Sequence, residues 1–193
     1  VSSSDINTFN NTSGGQTLAI TGSGSVATAL AGSSKTLTLG TLTLTNGTGS
    51  ASNYSLASGT FDINSRQVNI SGSRIYDGTT AANGSDLVVT TGVGSEILTV
   101  SGTGSISSAN VGNNKSVTAG SLALSGGSGN ASNYTLGTIT LSVTQRIVNA
   151  DLEKIYDGNT NVAASSLKTN GISNTVLGHS LNLTGTGAMS STG

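Results

Sequence analysis

The chain has no cysteine, no proline and no tryptophan, and of its 193 residues only 3% are aromatic and 8% charged. Without cysteine there can be no disulfide scaffold, thiolate metal site or thiol nucleophile. The seven cationic residues, Lys35, Arg66, Arg74, Lys115, Arg146, Lys154 and Lys168, are scattered, and eight acids bring the net charge to −1. No basic stripe exists to neutralise phosphates, so no nucleic-acid partner is expected. Apolar runs are a few residues long, far short of the roughly 20 that span a bilayer, so no membrane insertion is expected. No charged start followed by an apolar core marks an export signal, which is expected to lie outside this sequence.

What is present is small and polar: 28 Gly, 33 Ser and 29 Thr, with 34% apolar residues. Disorder usually pairs low hydrophobicity with high net charge, and neither holds here. The apolar residues alternate, as in Leu37 and Leu39, Leu42 and Leu44, Leu98 and Val100, and Ile139, Leu141 and Val143. Period two means half-buried strands, and no helical period extends over a useful window. Gly-rich segments and the Asn-Gly pairs at Asn46, Asn83 and Asn170 are expected to supply turns with positive φ.

A repeat organises these strands. Tyr76-Asp77-Gly78 recurs as Tyr156-Asp157-Gly158, and Ala51-Ser52-Asn53-Tyr54 recurs as Ala131-Ser132-Asn133-Tyr134, both at a spacing of 80. Residues 66–78 align without gaps to 146–158 with seven of thirteen positions identical. The segment 18–24 matches 98–104 and, after three inserted residues, 181–187. The expected organisation is a partial repeat at 1–65 that lacks its first strand and Tyr-Asp-Gly, a complete repeat at 66–145, and the N-terminal part of another at 146–193. Units that begin and end part-way expose strand edges, so either the chain is a window on a longer protein or neighbouring chains complete one another. Five to seven short strands are expected per unit. The expected class is all-β: tandem small β-sandwich repeats, Ig-like or β-grasp-like, of about 80 residues in an elongated rod.

Tyr-Asp-Gly reads as a turn: a Tyr buried at a strand end, an Asp bonding the backbone two residues on, and a Gly at positive φ. Asn53 and Asn133 read as left-handed turn positions and Tyr54 and Tyr134 as core side chains, which makes all four tyrosines core anchors. Catalysis finds little to use, because His179 is the lone His and Asp5, Asp62, Asp77, Asp86, Glu96, Asp151, Glu153 and Asp157 are dispersed. No enzyme activity, cofactor or metal is expected, since neither calcium-loop pattern nor phosphate-cradling loop is present.

Ten Asn occupy N-x-Ser/Thr sequons, at 10, 11, 46, 53, 69, 83, 114, 130, 133 and 182, of which Asn46, Asn114 and Asn130 are the candidate glycosylation acceptors. Thr36, Thr38, Thr41, Thr43 and Thr45 form a row that reads as one solvated strand face, with ice or carbohydrate binding as the sharper alternative. Lys35 and Lys115 share a repeat position and are candidates for a Lys–Asn isopeptide crosslink, although no acid recurs beside them.

The run from Ile75-Tyr76-Asp77-Gly78-Thr79-Thr80 through Leu98-Thr99-Val100-Ser101-Gly102 to 110–118 and Asn133-Tyr134-Thr135-Leu136 resembles the YDG-type repeat, related to MBG repeats, of large secreted, filamentous-haemagglutinin-like bacterial adhesins. At this period the resemblance covers the whole chain. It implies an extracellular or cell-surface location and a structural role, as a stalk, fibre or filament for adhesion or biofilm linkage. The partners it implies are copies of the chain or adjacent repeats, joined by β-strand addition in which residues 146–160 of one chain supply the first strand missing from 1–65 of the next. The competing expectation is a module that binds host or bacterial surface glycans.

Overall fold

The computed structural model describes residues 1–6 and 12–190, and its secondary structure is all-β with short 3₁₀ turns. The strands are β1 (Leu18–Thr21), β2 (Gly32–Thr36), β3 (Thr43–Asn46), β4 (Thr60–Ile63), β5 (Arg66–Ile75), β6 (Ala81–Asn83), β7 (Leu87–Val89), β8 (Leu98–Ser101), β9 (Thr103–Ile106), β10 (Gly112–Thr118), β11 (Ala123–Gly126), β12 (Tyr134–Thr144), β13 (Asn149–Leu152), β14 (Asn161–Ala163), β15 (Leu167–Ser173) and β16 (Thr186–Ala188). Elements recur at the sequence period: β1 and β8, β6 and β14, and the 3₁₀ turns Ala51–Asn53 and Ala131–Asn133 are each separated by one full period. Residues 66–144 hold eight strands, more than the five to seven expected, because short pieces such as Ala81–Asn83 and Leu87–Val89 form ladders of their own.

Two compact units divide the chain. The first comprises Val1–Val68, Thr91–Leu98 and Leu124–Leu136. Here β1 pairs antiparallel with β3 and β2 with β4, and Leu37 and Leu42 are buried. A cavity of about 710 Å³ opens among Leu18, Ile20, Leu39, Leu44 and Phe61.

The second unit comprises Asn69–Thr90, Thr99–Ala123 and Gly137–Gly193. Its main sheet has the order β6-β9-β10-β12-β5-β7. Along β12 the alternation of Ile139, Leu141 and Val143 places all three on one buried face, at 5%, 0% and 1% exposure. They join Ile70, Ala82, Leu87, Ile106, Val117 and Leu122 in the core. Burial of this kind, at roughly 25 cal/mol per Å² of apolar surface, is the main stabilising term available to a chain with few large side chains.

The neighbours β5 and β12 run in the same direction. Tyr76 donates its backbone N–H to Thr144 O at 2.9 Å, and Asn69 Oδ1 accepts from Thr138 N at 3.0 Å. Both contacts join positions separated by nearly the same stretch of chain, an offset that stays constant along the strands only if they are parallel.

One irregularity recurs. In β10 the register against β12 shifts between Gly112 and Lys115, with Asn114 at φ +48 and its N–H donating to Ser142 Oγ at 3.0 Å. In β2 it shifts between Gly32 and Lys35, with Ser34 at φ +53 and its N–H donating to Asp62 Oδ1 at 2.6 Å. Each is a β-bulge, in which the extra residue takes a left-handed conformation and a side chain on the facing strand satisfies its N–H.

Of the three Asn-Gly pairs expected to supply positive φ, only Asn170 has it, at +60. Asn46 instead ends β3 and accepts Ala51 N–H at 2.7 Å, and Asn83 is extended at φ −80. The threonine row does not form one strand face. Thr36 ends β2, Thr43 and Thr45 lie on β3, and Gly40 turns the chain between them at φ +58.

Candidate functional site

The Tyr-Asp-Gly turns are the part of the chain where polar and charged side chains converge, and each wraps a cation from the strand before it. Asp77 Oδ1 accepts from the Thr79 N–H at 2.9 Å and the Thr79 hydroxyl at 3.0 Å, and Gly78 turns the chain at φ +80. The Arg74 side chain, only 7% exposed, pairs through Nη1 with Asp77 and donates from Nη2 to Thr79 O at 2.5 Å. Burial pushes the Asp77 carboxyl up, but the Thr79 N–H, Arg74 and the Thr79 hydroxyl outweigh it and hold the group below the ordinary carboxylate value.

In the second copy Lys154 takes the place of Arg74. Its ammonium lies 2.8 Å from Asp157 Oδ1, 2.7 Å from Asn159 O, 3.1 Å from Asn159 Oδ1 and 2.9 Å from Asn161 O. Lys154 and the Asn159 N–H hold the Asp157 carboxyl low, and Gly158 sits at φ +74. The loop is a cation cage filled by the chain's own side chain.

The tyrosines differ from expectation. Tyr134 is buried and Tyr54 and Tyr76 are half-buried, but Tyr156 is 92% exposed. What distinguishes them is the neighbour: the Tyr76 ring lies 5.8 Å from the His179 ring at a tilt of 45°, with its hydroxyl 3.4 Å from His179 Nδ1. Nothing comparable stands beside Tyr156 among the described residues. Arg146 frames the same place, donating from Nε to Asn174 O at 2.8 Å and from Nη1 to Tyr76 O at 3.4 Å. The resulting cavity, about 470 Å³, is lined by Tyr76, Arg146, Val148, Val176, His179 and Leu181. No carboxylate lines it, so the lone His has no orienting acid there for triad chemistry.

Asn53 and Asn133 are not in left-handed conformations. Each closes a 3₁₀ turn, with its N–H bonded to Ser50 O and Asn130 O respectively, and Asn133 Oδ1 accepts Ala31 N–H at 2.8 Å. Short 3₁₀ turns of the type Ala-Ser-Asn satisfy these N–H groups without a positive φ.

Of the candidate glycosylation acceptors, Asn46 and Asn130 spend their side-chain oxygens on these same turns. Asn46 accepts from Ala51 N, and Asn130 accepts from the Ser132 N–H at 3.0 Å and hydroxyl at 2.9 Å. Asn114 holds the β10 bulge. The sequons at Asn10 and Asn11 lie outside the described residues. Lys35 Nζ donates to Thr28 Oγ1 at 3.0 Å and Lys115 Nζ to Ser108 O at 2.9 Å, so neither candidate crosslinking lysine is aimed at a carboxamide. In the threonine row, Thr41 Oγ1 accepts Ser23 N–H at 3.0 Å and Thr43 Oγ1 lies 3.2 Å from Thr21 Oγ1, so these hydroxyls are engaged within the protein. Among the described residues no three His, Asp or Glu side chains group to hold a metal. Among them, too, no helix is long and apolar enough to cross a membrane.

Residues 63–142 match the family model of the YDG domain. This YDG match runs from the end of β4 into β12, so it takes in β5, the first Tyr-Asp-Gly turn and the six strands between β5 and β12. No curated protein and no solved structure matches the chain. The match corrects the resemblance drawn from sequence: the chain is similar to the YDG domain once, over less than half its length, and not as a YDG-type repeat region extending over all of it, and the match carries no attribution to filamentous-haemagglutinin-like adhesins.

The recurrent pair between the tyrosine after each Ala-Ser-Asn turn and a side chain well upstream was missed by sequence reasoning. Tyr54 donates to Gln16 Oε1 at 2.7 Å, and Tyr134 donates to a carboxylate oxygen of Glu96. Gln16 and Glu96 are themselves separated by one repeat period, and that shared spacing was the available signal.

Proposed function

We propose that the chain is a structural module of an extracellular stalk, fibre or filament, built from tandem small β units that recur at the sequence period and serving adhesion or linkage between cells. The observation that supports this reading is the parallel adjacency of β5 and β12, the first and last long strands of residues 66–144. Tension applied along the chain pulls β5 from its N-terminal end and β12 from its C-terminal end, in opposite directions. Because the strands are parallel neighbours, that load shears their hydrogen bonds together instead of opening them one at a time. A module of this kind bears force with no catalytic residue.

Low charge, the absence of cysteine and the many hydroxyl side chains suit an exposed β module, and the caged cations at Asp77 and Asp157 stiffen the turns after β5 and β13. The competing reading is a module that binds surface glycans. A glycan array tests it: the structural reading expects no saccharide retained above background, whereas a signal lost in a Thr38→Ala, Thr41→Ala, Thr43→Ala variant would replace it with a binding function.

A further inference from the structure

Lys35 and Lys115 are not aimed at a carboxamide, but Lys154 is. Its Nζ lies 3.1 Å from Asn159 Oδ1 and 2.8 Å from Asp157 Oδ1, which brings an amine, a primary amide and a carboxylate together in one turn. The same amide oxygen accepts the Asn161 N–H at 3.0 Å, and Asp157 Oδ1 accepts the Asn159 N–H at 3.1 Å. The Lys154 side chain is only 18% exposed, so its head group is held against these partners and largely out of water.

Each group suits one role in acyl transfer to an amine. A lysine becomes a nucleophile once it loses a proton. Asp157, in contact with Nζ, is the carboxylate placed to take that proton. A backbone N–H on the amide oxygen polarises the carbonyl and stabilises the negative charge that collects there when the carbon is attacked. The positions one period earlier provide the contrast, because the first turn carries Arg74 in place of Lys154 and Thr79 in place of Asn159. A guanidinium stays protonated, and a threonine side chain has no carbonyl to attack. Nucleophile and electrophile are thus both present in one turn and both missing from the other, while the carboxylate is common to the two.

We infer that Lys154 and Asn159 join in an intramolecular isopeptide bond, with Asp157 as the proton carrier. Asp157 takes a proton from the Lys154 ammonium, and the freed amine attacks Asn159 Cγ, forming the Nζ–Cγ bond. Negative charge collects on Oδ1, beside the Asn161 N–H. The Cγ–Nδ2 bond then breaks, Nδ2 leaving as ammonia with the proton that Asp157 carried, and the second Nζ proton passes through Asp157 to solvent. No oxidant or co-reactant is consumed. The product closes a covalent ring across Tyr156, Asp157 and Gly158, and a neutral amide replaces the caged ammonium in the turn between β13 and β14.

The test is the mass of the full chain, incubated folded at mildly alkaline pH and then measured under denaturing conditions. The expected mass is one ammonia below that of the sequence, with one positive charge fewer on isoelectric focusing. Proteolysis and fragmentation are expected to yield a branched peptide joining Lys154 to Asn159. Lys154→Arg and Asn159→Thr, which copy the residues of the first turn, are each expected to keep the full mass. Asp157→Ala is expected to slow bond formation roughly 100-fold. Retention of the full sequence mass overturns the inference. So does an ammonia loss that persists in Lys154→Arg, because that loss belongs to a succinimide at an Asn-Gly pair and not to a lysine crosslink.

Discussion

Tyr134 gives its phenolic hydrogen to Glu96, and Tyr54 makes the same bond to Gln16, so one tyrosine position is anchored to a carboxylate in one case and to a carboxamide in the other. The bond to Glu96 and burial push the Tyr134 hydroxyl above its ordinary value. A raised value in the folded state means that folding favours the neutral phenol. Its stabilisation is complete below the ordinary tyrosine range near about 10 and is lost as pH rises through the raised value. Glu96→Gln copies the Tyr54 pair and is expected to keep the fold while moving the Tyr134 ionisation back toward ordinary, read by the ultraviolet absorbance of the phenolate. An unchanged titration would show that Glu96 does not set it.

The Tyr-Asp-Gly turn responds to acid in the opposite sense. Asp77 and Asp157 are both held below the ordinary carboxylate value, so their contribution is present above about pH 4 and is lost as pH falls through the lowered values. Hydrogen exchange at the Thr79 amide is expected to accelerate in that window. Asp77→Asn keeps an accepting oxygen but no charge, and is expected to flatten the pH dependence.

Leu141 and Leu177 bracket the range of burial, at 0% and 100% exposure. Leu141→Ala is expected to cost about 2–5 kcal/mol in denaturant unfolding, and Leu177→Ala to stay within about 0.5 kcal/mol of the parent.

Gly102 and Gly185 occupy one repeat position with nearly the same backbone, φ +86 and +93, and different surroundings. A Cβ on Gly102 would overlap the Ser121 carbonyl oxygen, whereas one on Gly185 meets nothing. Gly185→Ala is expected to show the left-handed penalty alone, about 1–2 kcal/mol, and Gly102→Ala clearly more. Equal losses in thermal unfolding would contradict the close approach at Gly102.

The all-β class was legible because period-two alternation at Ile139, Leu141 and Val143 carries it directly. Glycine at the end of Tyr-Asp-Gly announced the positive φ at Gly78 and Gly158, since only that residue adopts it without cost. Asn46 and Asn83 misled, because an Asn-Gly pair permits a left-handed turn without requiring one, and here the Asn side chains hydrogen-bond nearby groups instead. Nothing within the β10 sequence marks its bulge, because the determinant is a side chain on the facing strand, Ser142, distant in sequence. Tyr156 could not be told from Tyr76 for the same reason: burial depends on a neighbour such as His179, not on the three-residue motif. The partnership of Arg74 and Lys154 with their turns needed three dimensions, although both sit three residues before the Asp.

Parallel β5 and β12 are expected to make residues 66–144 resist tension, which single-molecule stretching between the chain's two ends measures. The expected trace shows a discrete rupture at high force, followed by extension of about 3.5 Å for each residue released. Cooperative shear predicts that Leu141→Ala lowers the rupture force, and that Leu177→Ala leaves it unchanged. A smooth extension with no rupture peak would show that parallel β5 and β12 do not resist tension.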